Sequence, residues 1–204
     1  MYSANDVSII IPTYNREEDL KITITQGLPF VKKIKELIIV DQSTNDKTRE
    51  LVYSIKNSKI KYYHREVPSL TIARNFGISK AGGKIILFLD DDVTLDKNYL
   101  ENLLEVFNIY NEALGVSGFQ ENCGKTGIEY IVREIFLLEN SGKNCADVKS
   151  VYGAVYPSVL TKIIQTKWLT GYNMAYKKEI FKEFKFDENL SRYALAEDFD
   201  FSYR

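Results

Sequence analysis

Four short runs of apolar residues occupy the first half of the chain, and polar or turn-forming residues follow each run. They cover residues 7–11, 37–40, 60–63 and 84–89, and Pro12 stops the first. Continuous apolar runs of this length are typical of strands buried on both faces of a parallel sheet. We therefore predict four parallel strands in this half of the chain.

Helical patterns lie between the predicted strands. Asp46 is in position to cap a helix that follows it. Residues 71–80 and 97–109 carry apolar side chains at helical spacing, and Gly82 follows the first of these two segments. The alternation of strands and helices predicts an α/β fold, a doubly wound open sheet with helices on both faces.

The second half of the chain has a less regular pattern. Strands are predicted at residues 115–119 and 172–176 and a short helix at 178–184, whereas residues 128–138 fit either a helix or a long strand. No segment rich in Pro, Gly or Ser separates the two halves. We expect residues 1–95 and 96–204 to share one core as a single domain.

The end of the chain falls within a helical pattern. This pattern begins near Asp198, and the chain stops at Arg204. We therefore expect the C-terminus to be truncated relative to the native protein.

Composition narrows the class of protein. The 204 residues are 45% hydrophobic, which is enough for a sizeable core, and 27 Lys and Arg balance 28 Asp and Glu. Such an even balance argues against a nucleic-acid partner, which needs a clustered basic surface. No apolar run approaches the ~20 residues that span a bilayer, and no signal peptide opens the chain. These features predict a soluble, cytoplasmic protein.

Cysteine and histidine are too scarce for the common metal and disulfide frameworks. Cys123 and Cys145 cannot form a disulfide framework or a four-ligand zinc site, and His64 is the single histidine. We expect two reduced thiols and a histidine at an edge or on the surface.

Candidate chemistry gathers at the ends of three predicted strands. The first strand leads into residues 12–16, the second ends at Asp41, and the fourth ends at Asp90, Asp91 and Asp92. In an open parallel sheet, ligands bind beyond the carboxyl ends of the strands. The alternative is that these ends are polar only because loops are solvated, which explains a triple Asp poorly.

Three consecutive carboxylates suggest a divalent cation. Two like charges ~4 Å apart repel by about 4 kcal/mol at an effective dielectric of 20. Oxygen-only ligands suit Mg²⁺ or Mn²⁺, and Mg²⁺ binds through one or two carboxylates together with substrate phosphates. No glycine-rich phosphate loop is present, so the cation and Arg74 are expected to meet the phosphate charge.

Asp41 is a candidate for reading a nucleotide base. A carboxylate only accepts hydrogen bonds, so it can receive the ring N–H of uracil, thymine or guanine. Neutral adenine and cytosine lack that donor. A turn or capping role within residues 41–44 is the alternative.

The ordered set of motifs resembles family 2 glycosyltransferases, which have the GT-A fold. The matching segments are residues 7–16, Asp41, residues 73–78, residues 88–92 with their D-x-D-like motif, residues 171–175, and residues 197–201 with their Glu-Asp motif. Each segment is weak alone, and the ordered set is specific. One departure is Asp41-Gln42-Ser43-Thr44, where the family usually has Asp-Asp-Gly-Ser or Asp-Asn-Gly-Ser.

The resemblance implies a role for each matching residue. In the nucleotide site, Thr13 and Tyr14 are expected to flank the base and Asp41 to bind it, with Arg74 near the diphosphate. Asp90 and Asp91 are expected by the ribose and the metal waters. Pro12 and Arg16 are further nucleotide-binding candidates. Asp92 would be the direct ligand of Mn²⁺ or Mg²⁺. Asp198 would be the general base, and Glu197 would bind or position the acceptor. Trp168 is a further candidate for stacking on a sugar, or else a core anchor.

The resemblance implies an inverting single displacement from a nucleotide-diphosphate sugar, with UDP favoured, to a hydroxyl of a glycan or lipid-linked acceptor in cell-surface polysaccharide synthesis. The lysines at 177, 178, 182 and 185 predict a solvated face or a weak peripheral contact with the inner face of a membrane. A sugar nucleotidyltransferase and a nucleotide- or glycan-binding module without turnover are the alternatives. The oligomeric state stays open.

Overall fold

The computed structural model describes residues 1–118, 163, 165–190 and 194–204, and the strands within them form one sheet. The strands are β1 (Val7–Thr13), β2 (Glu36–Asp41), β3 (Ile60–His64), β4 (Ile85–Leu89), β5 (Gly115–Ser117) and β6 (Asn173–Lys177). Their order across the sheet is β3-β2-β1-β4-β6-β5. The first four strands are parallel, as predicted, and β6 runs antiparallel to β4 and β5.

Helices cover both faces of this sheet. They are α1 (Glu17–Ile22), α2 (Lys47–Ser54), α3 (Leu70–Lys80), α4 (Tyr99–Ile109) and α5 (Glu197–Tyr203), with a π-helical turn at Thr23–Gly27 and 3₁₀ turns at Ala4–Asp6 and Lys178–Lys182. One apolar core joins α1, α2 and α4 to one face of the sheet. A second core joins α3, α5 and the later 3₁₀ turn to the other face. The sequence-based prediction of an open α/β sheet with two covered faces is confirmed.

The central strands are buried because both cores draw on them. Alternate residues of β1 point to opposite faces, so that Ile9 belongs to one core and Ile10 to the other. β3 differs from the prediction because it lies at the edge of the sheet and is only half-buried. Pro12 does not stop β1 but lies inside it, where pairing with β4 has already ended at Ile10 and only β2 remains as a partner.

Several local features differ from those predicted. α1 was not predicted, because Leu20 is its one buried residue and no apolar spacing marks it. Asp46 precedes α2 but makes no capping hydrogen bond there; its carboxylate pairs with Arg49 at 3.1 Å. The short helix expected at residues 178–184 is a 3₁₀ turn.

α3 approaches β1 closely because of one glycine. A Cβ placed on Gly77 would lie 2.5 Å from Cγ2 of Ile10, which no side chain could accept without a shift. This close packing sets the position of Arg74, one helical turn earlier on α3, over the end of the sheet.

Some predictions lie outside the described residues, namely those for residues 128–138, Cys123 and Cys145. Within the residues the structure does describe, no helix combines the length and the apolar character needed to cross a bilayer.

Candidate active site

The carboxyl ends of the parallel strands and the start of β6 meet at one edge of the sheet. Thr13 at the end of β1 is paired with Asp41 at the end of β2. Leu89 at the end of β4 is paired with Asn173 at the start of β6, and the N–H of Asp90 donates to the carbonyl of Tyr172 at 3.3 Å. The Asp triplet therefore lies beside the loop that precedes β6.

Asp91 is the buried member of the Asp triplet. Its Oδ2 accepts a hydrogen bond from the Thr13 hydroxyl at 2.7 Å, and its Oδ1 lies 2.8 Å from Nη1 of Arg16. The hydroxyl of Thr23 also donates to its backbone carbonyl. Burial raises the pKa of Asp91 to about 6, although the Thr13 hydrogen bond and the Arg16 charge both oppose the rise.

Arg16 already supplies a positive charge to the triplet. Its guanidinium contacts Asp91, lies 2.8 Å from Oδ2 of Asp92 through Nη2, and lies 3.0 Å from Oδ2 of Asp19 through Nε. The side chain of Asp92 is 48% exposed. The hydrogen bond to Asp92 raises the pKa of Arg16 above its ordinary value. The guanidinium of Arg16 thus occupies part of the position at which the sequence suggested a divalent metal ion.

The donor set fits a hard divalent cation that is completed by other oxygens. No group of three or more acidic, His or Cys side chains is arranged to hold a metal by itself in the described part of the chain. The acidic groups available are carboxylates, which Mg²⁺ and Mn²⁺ accept, and the side chains of Asp90 and Asp92 are the exposed ones of the triplet. Asp92, with substrate oxygens, would therefore hold such an ion.

Asp41 has a different environment from the one a base ligand needs. It is completely buried, and its Oδ1 accepts the backbone N–H of Ser43 at 2.9 Å. Its Oδ2 accepts the hydroxyl of Tyr62, from the neighbouring strand, at 2.7 Å. This arrangement is the turn role that the sequence left as the alternative. Contact with a base would require Tyr62 or the loop to move.

Gln42 takes part in the same loop. Its side-chain N–H donates to the carbonyl of Val67 at 2.5 Å, and its Oε1 accepts the N–H of Ser69 at 3.2 Å. Gln42, one of the residues that depart from the family pattern, is therefore hydrogen-bonded to the segment leading into α3.

Tyr14 and Asn15, in the loop after β1, lie next to the loop after β2. Tyr14 is 45% exposed, which leaves its ring accessible to a ligand. Asn15 has a left-handed backbone with φ 54°, its N–H donates to Oγ of Ser43, and its Oδ1 accepts the N–H of Thr44. The left-handed turn at Asn15 was not predicted, although asparagine after a strand is a signal for one.

Arg74 lies inside the protein rather than on the surface of the cleft. Its side chain is 1% exposed. Nη1 donates to Oε1 of Glu197, Nη2 donates to the carbonyl of Gly171 at 3.1 Å, and Oδ1 of Asp90 lies 3.9 Å from Nη2. Burial raises the pKa of Glu197 and that of Asp90, and Arg74 opposes both rises.

Asp198 is half-buried at the start of α5. Its Oδ2 accepts the N–H of Gly171 at 2.8 Å, and its Oδ1 accepts the N–H of Phe199 at 2.8 Å. Ala196, just before the Glu-Asp pair, has a left-handed backbone with φ 65°. The structure therefore brings Glu197 and Asp198 to the same sheet edge as Asp90.

Two peripheral predictions have mixed outcomes. Trp168 is half-buried, and its backbone N–H donates to Oγ1 of Thr166 at 3.2 Å. Lys177 is buried and bonds the carbonyl of Asn111, and Lys178 bonds that of Ala81, so the predicted solvated lysine face is wrong for these two residues. Lys182 and Lys185 are exposed.

The open α/β sheet, with the acidic triplet at its carboxyl edge and an antiparallel strand beside it, agrees with the GT-A fold that the sequence motifs resemble. The chain matches the family described as Glycosyl transferase family 2 over residues 8–184. The chain belongs to this family, as the resemblance of its motifs predicted.

Named relatives support the same assignment. An uncharacterized glycosyltransferase of Rickettsia bellii is 29% identical over 90% of this chain and 24% of its own length. The Escherichia coli protein WfgD, a UDP-Glc:alpha-D-GlcNAc-diphosphoundecaprenol beta-1,3-glucosyltransferase, is 35% identical over 47% of this chain and 38% of its own length. This chain spans about a quarter of the length of the Rickettsia relative.

A solved structure shares the fold. The mannosyltransferase PcManGT of Pyrobaculum calidifontis, in complex with GDP-Man and Mn²⁺, superposes with a TM-score of 0.59. It is 18% identical, and the match covers 93% of this chain and 49% of that chain. The predicted GT-A fold is thereby confirmed.

Proposed function

We propose that this chain transfers a sugar from a nucleotide diphosphate to an acceptor hydroxyl, with inversion at the anomeric carbon. The observation that carries the proposal is the meeting of the Asp triplet with Asp198 at one sheet edge, in a chain of glycosyltransferase family 2. The N–H of Asp90 donates to the carbonyl of Tyr172, and the N–H of the adjacent Gly171 donates to Oδ2 of Asp198, so the same loop holds both residues.

The residues after β1 and β4 would bind the nucleotide and the metal ion in this proposal. The exposed ring of Tyr14 would stack against the base, and Arg16, Asp90 and Asp91 would border the ribose and diphosphate. Asp92 would hold Mn²⁺ or Mg²⁺, and such an ion would offset the charge that develops on the departing diphosphate. Pro12 and Thr13 support this wall from β1.

Asp198 would act as the general base. One oxygen of its carboxylate is held by the Gly171 N–H, so the group has a fixed orientation. It would take the proton of the acceptor hydroxyl while the new C–O bond forms and the bond to the diphosphate breaks. Glu197 and Trp168 would border the acceptor.

UDP is the favoured nucleotide, and the acceptor class is a glycan or lipid-linked glycan in polysaccharide synthesis. The relative WfgD carries both features in its name, a UDP-linked donor and an undecaprenol-linked acceptor. A lipid-linked acceptor would also bring the protein to the inner face of a membrane. The exposed Lys182 and Lys185 would favour an anionic surface.

A nucleotide panel tests this function. Thermal unfolding is measured with UDP, dTDP, GDP, ADP and CDP, each with and without Mn²⁺. The proposal predicts a metal-dependent rise in Tm for UDP. In a separate assay, it predicts that the chain releases UDP from a UDP-sugar. A module without turnover would give the rise in Tm and no release, and no rise with any nucleotide contradicts the proposal.

A further inference from the structure

The environment of Arg74 differs from the one expected for an arginine that binds a diphosphate. Its guanidinium lies 5.3 Å from the centre of the Phe186 ring and 5.8 Å from that of the Phe88 ring. On its other sides are the carboxylates of Glu197 and Asp90. A cation enclosed by two rings and two carboxylates has its charge satisfied within the protein.

A short chain of hydrogen bonds joins Arg74 to Asp198. Nη2 of Arg74 donates to the carbonyl of Gly171, and the N–H of the same Gly171 donates to Oδ2 of Asp198. A Cβ on Gly171 would lie 2.9 Å from Oε1 of Glu197 and 3.1 Å from Nη2 of Arg74. The backbone of Gly171 is thus packed directly into the ion pair.

We propose that Arg74 is a positioning residue for Asp198, which it orients through Glu197 and the Gly171 backbone, and that it does not bind the diphosphate. The inference rests on the proposed function only in treating Asp198 as the general base. Arg74 belongs to α3 in the first half of the chain, and Glu197 and Asp198 belong to α5. The two members of the ion pair, Arg74 and Glu197, are 123 residues apart in the sequence. One buried cation thereby couples the two halves at the site.

Loss of this cation has a defined physical consequence. The charged groups around Arg74 are the carboxylates of Glu197 and Asp90, and the nearby hydroxyl of Tyr176 shares a hydrogen bond with Ser202. Without Arg74, a buried Glu197 carboxylate has to take up a proton or turn away, because an unpaired buried charge is costly. Loss of the guanidinium itself removes the donor to the Gly171 carbonyl, and a change at Glu197 alters the packing against Gly171, so the Gly171 N–H bond to Asp198 loosens.

The Gly171 amide reports this coupling without any substrate. The spectra are recorded on the chain labelled with ¹⁵N-glycine. The Asp198→Asn variant serves as the reference, because it shows how the Gly171 amide signal shifts when its carboxylate acceptor is lost. Arg74→Met and Glu197→Gln are expected to move the Gly171 amide in the same direction and to speed its hydrogen exchange at least tenfold. Arg49→Met, which removes an exposed arginine on α2, is the matched control and leaves the amide unchanged.

Nucleotide affinity separates positioning from ligand binding. Calorimetry with UDP and Mn²⁺ is expected to give Arg74→Met an affinity within threefold of the wild type. With a UDP-sugar that the chain turns over, kcat falls at least tenfold while the donor KM stays within threefold. An unmoved Gly171 amide, or a loss of UDP affinity beyond tenfold, overturns the proposal.

Two further variants keep the test decisive if Arg74→Met does not fold. Arg74→Lys keeps the charge but cannot bond Glu197 and Gly171 together, so a smaller Gly171 shift is expected, and Glu197→Gln removes the partner charge alone. If the wild type does not bind UDP, the proposed function fails, whereas the Gly171 measurement still decides the role of Arg74.

Discussion

The hydroxyl of Thr13, at the end of β1, donates a 2.7 Å hydrogen bond to the buried carboxylate of Asp91, just beyond the end of β4. This bond joins the loop after β1 to the Asp triplet. Because β1 and β4 are neighbouring parallel strands, the bond links the ends of the two strands on the side of the candidate site.

Thr13→Val tests the contribution of this bond to stability. Valine has nearly the same shape but no hydroxyl, so the Asp91 carboxylate loses a donor in a buried setting. We expect the free energy of unfolding in urea to fall by about 1–3 kcal/mol. Thr25→Val is the control, because its hydroxyl bonds an exposed carbonyl, that of Lys21, and we expect a change within about 0.5 kcal/mol. Equal losses in the two variants would contradict the assigned role.

The strands could be predicted from the sequence, because β1, β2 and β4 are continuous apolar runs buried from both sides. α1 could not, since a six-residue helix with one buried residue leaves no apolar spacing. Polar groups at strand ends likewise indicated the sheet edge that carries the site, because chain direction alone places those ends together.

The partners of individual site residues were not predictable in the same way. Asp41 was expected to contact a base, and that stays a prediction; its hydrogen bond from Tyr62 was not predicted, because only the pairing of β2 with β3 brings the two residues together. The ion pair of Arg74 with Glu197 was not predicted either, because the two residues are 123 positions apart in the chain. Such contacts depend on packing between elements that local patterns do not describe.

Arg16→Gln tests whether the guanidinium competes with a metal for the triplet. Removing the resident positive charge frees oxygens of Asp91 and Asp92, so Mn²⁺ alone should bind more tightly. An exposed ion pair is worth up to about 1 kcal/mol, which corresponds to a gain of roughly fivefold. The measurement is calorimetric titration with MnCl₂ in the absence of nucleotide.

Arg49→Gln provides the comparison for Arg16→Gln. The side chain of Arg49, on α2, is about as exposed as that of Arg16, and it pairs with Asp46 just before the helix. Its Mn²⁺ affinity should equal that of the wild type. Weaker Mn²⁺ binding in Arg16→Gln than in Arg49→Gln would mean that Arg16 supports the cation site.

The raised pKa of Asp91 predicts a pH dependence of stability. Burial raises this pKa from its ordinary value of 3.8 to about 6. Between these two values the folded protein holds a proton that the unfolded chain has released, so the contribution of Asp91 to stability falls as pH rises. Asp91→Asn lacks this titration. Its free energy of unfolding, relative to that of the wild type, should therefore increase from pH 4.5 to pH 7 in urea denaturation. A difference that decreases over this range would contradict the raised pKa.

Asp198→Asn separates turnover from binding. The amide cannot take a proton, so release of UDP from a UDP-sugar should fall by about 10²–10⁴-fold. Affinity for UDP with Mn²⁺ should stay within twofold, because no donor contact is assigned to Asp198. Asp200→Asn, whose exposed carboxylate pairs with Arg204, should retain full turnover. Retained turnover in Asp198→Asn would remove it as the general base.

The central claim is that Asp92 binds a divalent cation together with a nucleotide diphosphate at the end of β4. Calorimetric titration of UDP with and without Mn²⁺, in the wild type, Asp92→Asn and the exposed control Asp96→Asn, tests it most directly. The account predicts metal-dependent UDP binding in the wild type and in Asp96→Asn, and its loss or strong weakening in Asp92→Asn. Unchanged metal-dependent UDP affinity in Asp92→Asn would contradict the account.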